Sequence, residues 1–469
     1  MNGVSASGFW QITGNNGTTP GVNFIGTTDN QPLELWADGS RALRLEPNSS
    51  GSPNVIGGSQ VNYVASGVIG ATIAGGGATN SSGYASTNTA AANYATIGGG
   101  YGNSIQTGSS GAAIAGGWEN GIQGGSFNST IGGGEINSIQ ANAYDSTIGG
   151  GGNNVIKSSS LQSVISGGYY NLIPPNAWDA TIGGGYFNTN GGSSAVISGG
   201  KYNYVDSSAF AASVGGGMDN LNSGSYSAIS GGFSGVIQSG VNYGTISGGR
   251  NNQILSSGSA GTIGGGFFNT VNAQNATVPG GYQNTASGSG SFAAGMSASA
   301  VHVNSFVWSD GSSISSTAAN QFMAHCSGGA IFYTSTGTSA GASLAPNATA
   351  WSAICDRNAK KDFTQVNTEQ VLEKLVQVPI TKWRYKWEAE TNVLNIGPMA
   401  QDFKAAFYPG RDDKSITTLE FDGVELAAIQ GLNEKLDEQM KAKDAAIQQL
   451  QETVAQLKDL VNKLAANKE

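Results

Sequence analysis

Between residues 53 and 291 the chain repeats one short phrase. An apolar residue is followed within three positions by two glycines, with anchors at Ile56, Ile73, Ile97, Ile114, Ile131, Ile148, Ile165, Ile182, Ile197, Val214, Ile229, Ile246, Ile263 and Val278. Of the 13 intervals nine are 17 residues, three are 15, and one, from Ile73 to Ile97, is 24. An asparagine stands six residues after twelve of the fourteen anchors, with Thr79 and Gly235 the exceptions, and an apolar residue usually returns two positions later, as at Ile105, Ile122 and Ile139. A unit this short has no room for a helical pair or a propeller blade. It predicts one coil of a β-solenoid with two short strands. Lengths that differ by two preserve the in/out alternation of a strand. The paired glycines permit positive φ at a turn, and the asparagines predict an amide ladder along the axis. Fourteen coils at roughly 4.8 Å each make a rod about 65 Å long. The 24-residue interval holds the polar stretch 81–89, which is expected to loop out as a tolerated insertion or a receptor-contacting loop.

Each coil offers one or two aliphatic residues, which is a thin core for a unit that cannot cover its own apolar face. Several chains winding side by side solve this, so a homotrimer is expected. The spacing over residues 53–291 resembles the head repeats of trimeric autotransporter adhesins and similar repeats in phage tail fibres. The expected fold class is therefore mostly β: a trimeric parallel β-roll or β-solenoid shaft, followed by an α+β chaperone domain that ends in a coiled-coil helix. Aromatic residues gather four positions after the anchor, at Tyr101, Trp118, Tyr169, Tyr186, Phe233, Phe267 and Tyr282. They form a stripe open to two readings, a surface for stacking against glycans or a ladder at a corner and between chains.

Short alternating runs at 9–13, 32–36 and 41–45 predict a small N-terminal β module over 1–52. Runs at 303–308, 321–325 and 330–334 predict a β-rich connector over 292–354. His325 beside Cys326 lacks further ligands nearby, so no metal site is expected there, and no cofactor is expected elsewhere.

Composition then changes the picture. The 469 residues include 73 glycines but only 11 prolines without a Gly-X-Y period, which excludes collagen. Residues 1–354 carry 16 charged side chains, whereas 355–469 carry 35. A net charge of −9 argues against nucleic acid. No apolar run reaches the roughly 18 residues of a membrane helix, and the N-terminus has no signal-peptide pattern, so neither membrane insertion nor secretion by that route is expected. The shaft acids Glu119, Glu135, Asp145, Asp179, Asp206 and Asp219 are sparse and vary in phase, which counts against the paired carboxylates of a glycoside hydrolase. There is no GxxxxGK[ST] phosphate loop.

The charged segment opens with Cys355-Asp356-Arg357-Asn358-Ala359-Lys360. It continues through Ile396-Gly397-Pro398-Met399-Ala400-Gln401-Asp402-Phe403, then Gly423-Val424 and Ala427-Ala428-Ile429-Gln430-Gly431-Leu432. These motifs resemble the intramolecular chaperone auto-processing domain at the C-termini of endosialidases, tail spikes and tail fibres, over 355 to about 469. The resemblance implies a domain that trimerises, templates the fibre ahead of it, and then cuts itself off before a serine whose partner is a lysine five residues on. Cys355 stands at the serine's place and Lys360 at the lysine's, so the implied scissile bond is Ile354–Cys355. A thiolate is the stronger nucleophile, and a neutral lysine can serve as its base. The implied activity is at most a single-turnover endopeptidase; if the bond stays intact, Cys355 is expected to be a small buried residue. Lys361 is an alternative base, and Asp356 is expected to orient the turn.

Leu436, Met440, Ile447, Leu450, Val454, Leu457, Val461 and Leu464 step by threes and fours around Lys443, which predicts a coiled coil over about 433–465. The expected whole is a tail fibre or adhesin-like fibre of a virion tail or extracellular contractile particle. Its expected partners are its own copies, other tail or baseplate proteins, and a host-surface glycan or protein receptor. The alternatives are a polysaccharide-degrading tail spike and a bacterial trimeric surface adhesin.

Overall fold

The computed structural model describes residues 10–467 apart from 82, 339, 354, 391 and 392. It falls into two compact units, residues 1–327 and 328–469.

The first unit is the solenoid. Residues 10–13, within the first alternating run, form no strand, because the Asn15 side chain accepts the Gln11 N–H at 2.7 Å and turns the chain. Ordered pairing starts with the antiparallel hairpin β1 (Leu33–Ala37) and β2 (Ser40–Glu46). β2 pairs in turn with β3 (Asn54–Gly57), the first anchor strand. From there each coil contributes a two-residue anchor strand, such as Thr147–Ile148, and a two-residue return strand, such as Val155–Ile156. Each anchor strand pairs in parallel with the next anchor strand, and each return strand with the next return strand. The anchor isoleucine and the return isoleucine point inward and are fully buried in coil after coil, for example Ile148 and Ile156. Each contributes roughly 1.5–3 kcal/mol relative to exposure, and the column is the core.

An asparagine ladder shares the interior with buried serines and alanines such as Ser146 and Ala143. Asn137 Nδ2 donates to the carbonyls of Gly133 and Gly151, both at 3.0 Å. Its Oδ1 accepts from the backbone N–H of Asn154, one coil on, at 3.0 Å. Each buried amide thus bonds the glycine carbonyls of its own turn and of the next, the latter also accepting a backbone N–H, as Gly151 O does from Glu135 N at 2.9 Å. The Ile73 coil keeps the ladder through Asn88, because an antiparallel hairpin, Ala78–Ser81 with Tyr84–Ser86, carries the extra residues outside the coil. At Gly235 the side chain is missing, but its N–H still donates to Asn220 Oδ1 at 2.9 Å.

Glycine is required where the coil turns after the anchor. Gly134 has φ +86°, and a Cβ there would strike the Gly151 carbonyl and the Asn137 amide. The 15-residue coils drop their two residues in the other turn. Seven residues separate Ile173 from Thr181, but five separate Asn190 from Val196. Turn type sets the coil length, and the strands stay two residues long either way. In that tighter coil Asn190 replaces the inward isoleucine and donates to the carbonyls of Thr181 and Ala195 at 3.0 and 2.8 Å. Asn222 repeats the arrangement toward Ser213 and Ser227.

The parallel ladder continues past residue 291 through the longer strands Phe292–Ala300, Phe306–Ser315 and Phe322–His325. The stretch 292–354 is thus divided between the two units. In the second unit Ala330–Tyr333, Gly341–Leu344 and Ser352–Ala353 form an antiparallel sheet, and Ile380–Trp383 pairs with Asn395–Pro398.

Among the described residues three α-helices complete the second unit. α1 (Thr368–Gln377) is capped by Asn367, whose Oδ1 accepts from Gln370 N at 2.9 Å. α2 (Ala400–Phe407) holds the fully buried Phe403 against Phe407 and Phe421, with ring centroids at 5.2 and 5.9 Å. α3 (Thr418–Ala466) opens with a capping box between Thr417 and Glu420. α1 crosses α3 at Gly431, where a Cβ would collide with the Thr368 carbonyl. The fold is mostly β, a solenoid shaft followed by an α+β domain with a long terminal helix.

Candidate functional site

Two places carry candidate chemistry, the opening of the charged segment and the corners of the shaft. At the first, Asp356 caps a short 3-10 turn, Arg357–Ala359, and its Oδ1 accepts from Asn358 N at 2.9 Å. The turn reverses the chain just enough to fold Lys360 back on Cys355. Lys360 Nζ donates to Cys355 Sγ at 2.9 Å. Arg357 lies over the Phe363 ring at 5.6 Å and flanks the turn. Cys355 is exposed, and residue 354, on the far side of the implied scissile bond, lies outside the described residues. The structure therefore brings together the two residues singled out in the sequence, within hydrogen-bond distance of each other.

Elsewhere in the second unit a polar anchor joins α2 to α3. Lys404 Nζ, almost fully buried, reaches both oxygens of Glu420 at 2.7 and 2.6 Å. The Thr417 N–H and hydroxyl and the Arg411 guanidinium also donate to Glu420. Lys404 first, then the Thr417 N–H, hold the Glu420 carboxyl down to about 2. Nothing in the sequence periodicity marks this pair, because its residues lie on α2 and α3 and meet only through the turn between them.

The aromatic stripe is a ladder at one corner of the shaft. Tyr101 pairs in a parallel bridge with Trp118, and Tyr169 with Tyr186; the column continues through Phe233, Arg250, Phe267 and Tyr282. Tyr169 and Tyr186 stack with an interplanar angle of 3°, and Phe267 stacks on Tyr282 at 5.5 Å. The other rungs are Glu135, Gly152, Lys201, Met218 and Arg250, and the two cations lie against rings. Arg250 lies 5.3 Å from the rings of both Phe233 and Phe267, and Lys201 lies 5.3 and 4.9 Å from Tyr186 and Tyr202.

Two further aromatic sets were missed in the sequence. Tyr170, Phe187, Tyr202 and Phe268 sit five positions after the anchor, beside the first column and at φ near +55°. That conformation costs about 1–3 kcal/mol per residue, and it holds because each N–H bonds the previous coil, as Tyr170 N does to Gly152 O at 3.0 Å. At a second corner, Phe127 stacks on Tyr144 at 4.6 Å, followed by the exposed Trp178, Phe210, Tyr226 and Tyr243. The signal was present, since both sets keep the coil period at other phases.

At the end of the solenoid, His325 does not combine with Cys326. Its Nδ1 lies 2.7 Å from Asp310 Oδ1, and Ser327 donates its N–H to Asp310 Oδ2 at 2.6 Å. The Ser327 hydroxyl, then His325, hold the Asp310 carboxyl well below the usual range. The cluster ties the last strand to the one before it. Among the described residues no helix is long and apolar enough to cross a membrane.

Residues 355–410 match the family model described as chaperone of endosialidase. No curated protein matches the chain. The matched segment begins at the Cys355–Lys360 pair and runs through α2, so the chain carries an endosialidase-type chaperone domain behind a long β-solenoid shaft, the organisation of a tail-fibre or tail-spike protein.

Proposed function

We propose that this chain is a trimeric tail-fibre protein for surface attachment, folded by its C-terminal domain, which then releases itself at the Ile354–Cys355 bond. The observation that carries the reading is α3. It extends well beyond its packing against α1, and its heptad residues Leu436, Met440, Ile447, Leu450, Val454, Leu457, Val461 and Leu464 are all exposed. A seam of that length in water is a coiled coil without its partners. Three copies joined there begin their shafts level with one another.

In the cleavage step the Cys355 proton passes to Lys360 Nζ, and the thiolate attacks the carbonyl carbon of residue 354. The C–N bond breaks, the Cys355 nitrogen takes up a proton, and a thioester joins residue 354 to Sγ. Water hydrolyses the thioester, leaving a carboxylate on residue 354 and a free thiol on Cys355. The protein then resides in a virion tail or related particle, with its N-terminal end available to other tail or baseplate proteins. The aromatic corners, with Tyr101, Trp118, Tyr169, Tyr186, Phe233, Phe267 and Tyr282 in the first column, are the surface offered to a host glycan or protein receptor.

Denaturing gels test the chemistry. Wild type is expected to yield a shaft fragment and a fragment of residues 355–469, while Cys355→Ala and Lys360→Ala stay at 47.5 kDa. Hydroxylamine is expected to speed release in wild type by intercepting the thioester. Wild type that stays intact removes the cleavage and leaves the chaperone role.

A further inference from the structure

The two flat faces of the shaft differ in a way that one chain by itself does not require. On the anchor face, the outward position before each anchor holds threonine in eight of fourteen coils, and otherwise valine, alanine or serine. The outward position after the anchor holds only glycine, alanine, serine or a single proline. The return face is uneven, mixing large apolar side chains with polar and charged ones. It carries Tyr63, Leu172, Tyr204, the glutamines 106, 123 and 140, and the charges Lys157 and Asp206. Residues 53–291 contain nine charged side chains; the other seven lie on the corners, and none lies on the anchor face.

Seven of the small residues are glycines that the next coil of the same chain already requires, as at Gly132 beneath Gly149. The threonine column has no such cause, since its side chains point outward from the buried isoleucines. A parallel, in-register assembly of identical chains supplies one. Such an assembly sets every side chain near its own copies, so a charge at the axis would oppose the same charge in each neighbour, and a large side chain would oppose an equally large one. A different partner would impose neither rule. A strip about 65 Å long and three residues, about 10 Å, wide offers roughly 650 Å² per chain, about 1,950 Å² over the three chains.

We infer that the anchor face of the solenoid is the surface on which the shafts of three copies meet, leaving the return face and both aromatic corners outside. This rests on the trimer proposed above and names the face it uses.

Thiols introduced singly into the full-length chain test it. Thr147→Cys and Thr245→Cys mark the anchor face at two heights, and Ser138→Cys and Thr270→Cys mark the return face. Each is treated with a short bis-maleimide, run on denaturing gels beside treated wild type, and mapped by peptide mass, while untreated wild type is sized by sedimentation velocity. The expected result is linkage of most chains through 147 and 245, with less than about a tenth through 138 and 270. Linkage at the return face, or at neither face, in a sample that sediments as three chains overturns the assignment and leaves the trimer standing. A wild type that sediments as one chain overturns the trimer and this inference together.

Discussion

At the scale of single residues, the shaft depends on a few side chains used many times. Isoleucine fills the interior, and asparagine links the glycine turns of successive coils. Removing one rung therefore costs more than its volume. Asn137→Ala leaves the buried Asn154 N–H without its acceptor and removes the amide's bonds to the Gly133 and Gly151 carbonyls, a loss on the order of 2 kcal/mol. The loss is expected to be local, because each coil contacts only its neighbours. Hydrogen exchange should show faster exchange at the amides of coils 131 and 148, with coils such as 229 and 246 unchanged. Uniform acceleration along the shaft would contradict a nearest-neighbour ladder.

Among the elements, legibility follows the repeat. The 17-residue period specified the coils, the buried isoleucine columns and the asparagine ladder, because one local arrangement recurs and its pattern accumulates. The same period marked the corner from Tyr101 to Tyr282. It was not followed to Phe127, Tyr144 and Trp178, which lie at another phase, nor to Tyr170 and Phe187, where left-handed backbone on large residues runs against local preference and is imposed by stacking. Asn88 was hidden by the hairpin that displaces it from its usual spacing. In the second unit nothing repeats. The pairing of Cys355 with Lys360 was implied by the resemblance to the chaperone domain, whereas the junction of α2 with α3 through Lys404 and Glu420 was not.

That junction gives the helical part a defined acid response. The Glu420 carboxyl is ordinarily near 4.5 and is held down to about 2 in the folded protein. A depressed carboxylate adds stability that is complete above its ordinary value and fades as pH falls through the window from about 4.5 to about 2. The helical signal at 222 nm of the full-length chain is expected to melt at falling temperatures across that window. In Glu420→Gln the melting temperature should be lower at pH 7, with this component of the pH dependence gone. A variant whose acid response matches wild type would show that the Lys404–Glu420 bond does not hold α2 to α3.

At the scale of the whole molecule, the repeat sets a folding problem. Coils of nearly equal composition can pair one rung out of step with little loss, and long parallel structures form slowly because distant pairings must close before they are rewarded. A helical domain that assembles first and fixes both copy number and starting register removes that ambiguity. Its release afterwards would leave the shaft unable to retrace its route, so persistence would rest on the unfolding barrier. All of this depends on three chains acting together. The most direct measurement is the mass of the purified Lys360→Ala chain in solution by light scattering, since that substitution keeps the shaft and the C-terminal domain joined. The account predicts a single species of three times 47.5 kDa, about 142 kDa. A well-ordered species of 47.5 kDa, with its solenoid and helices intact, would contradict it.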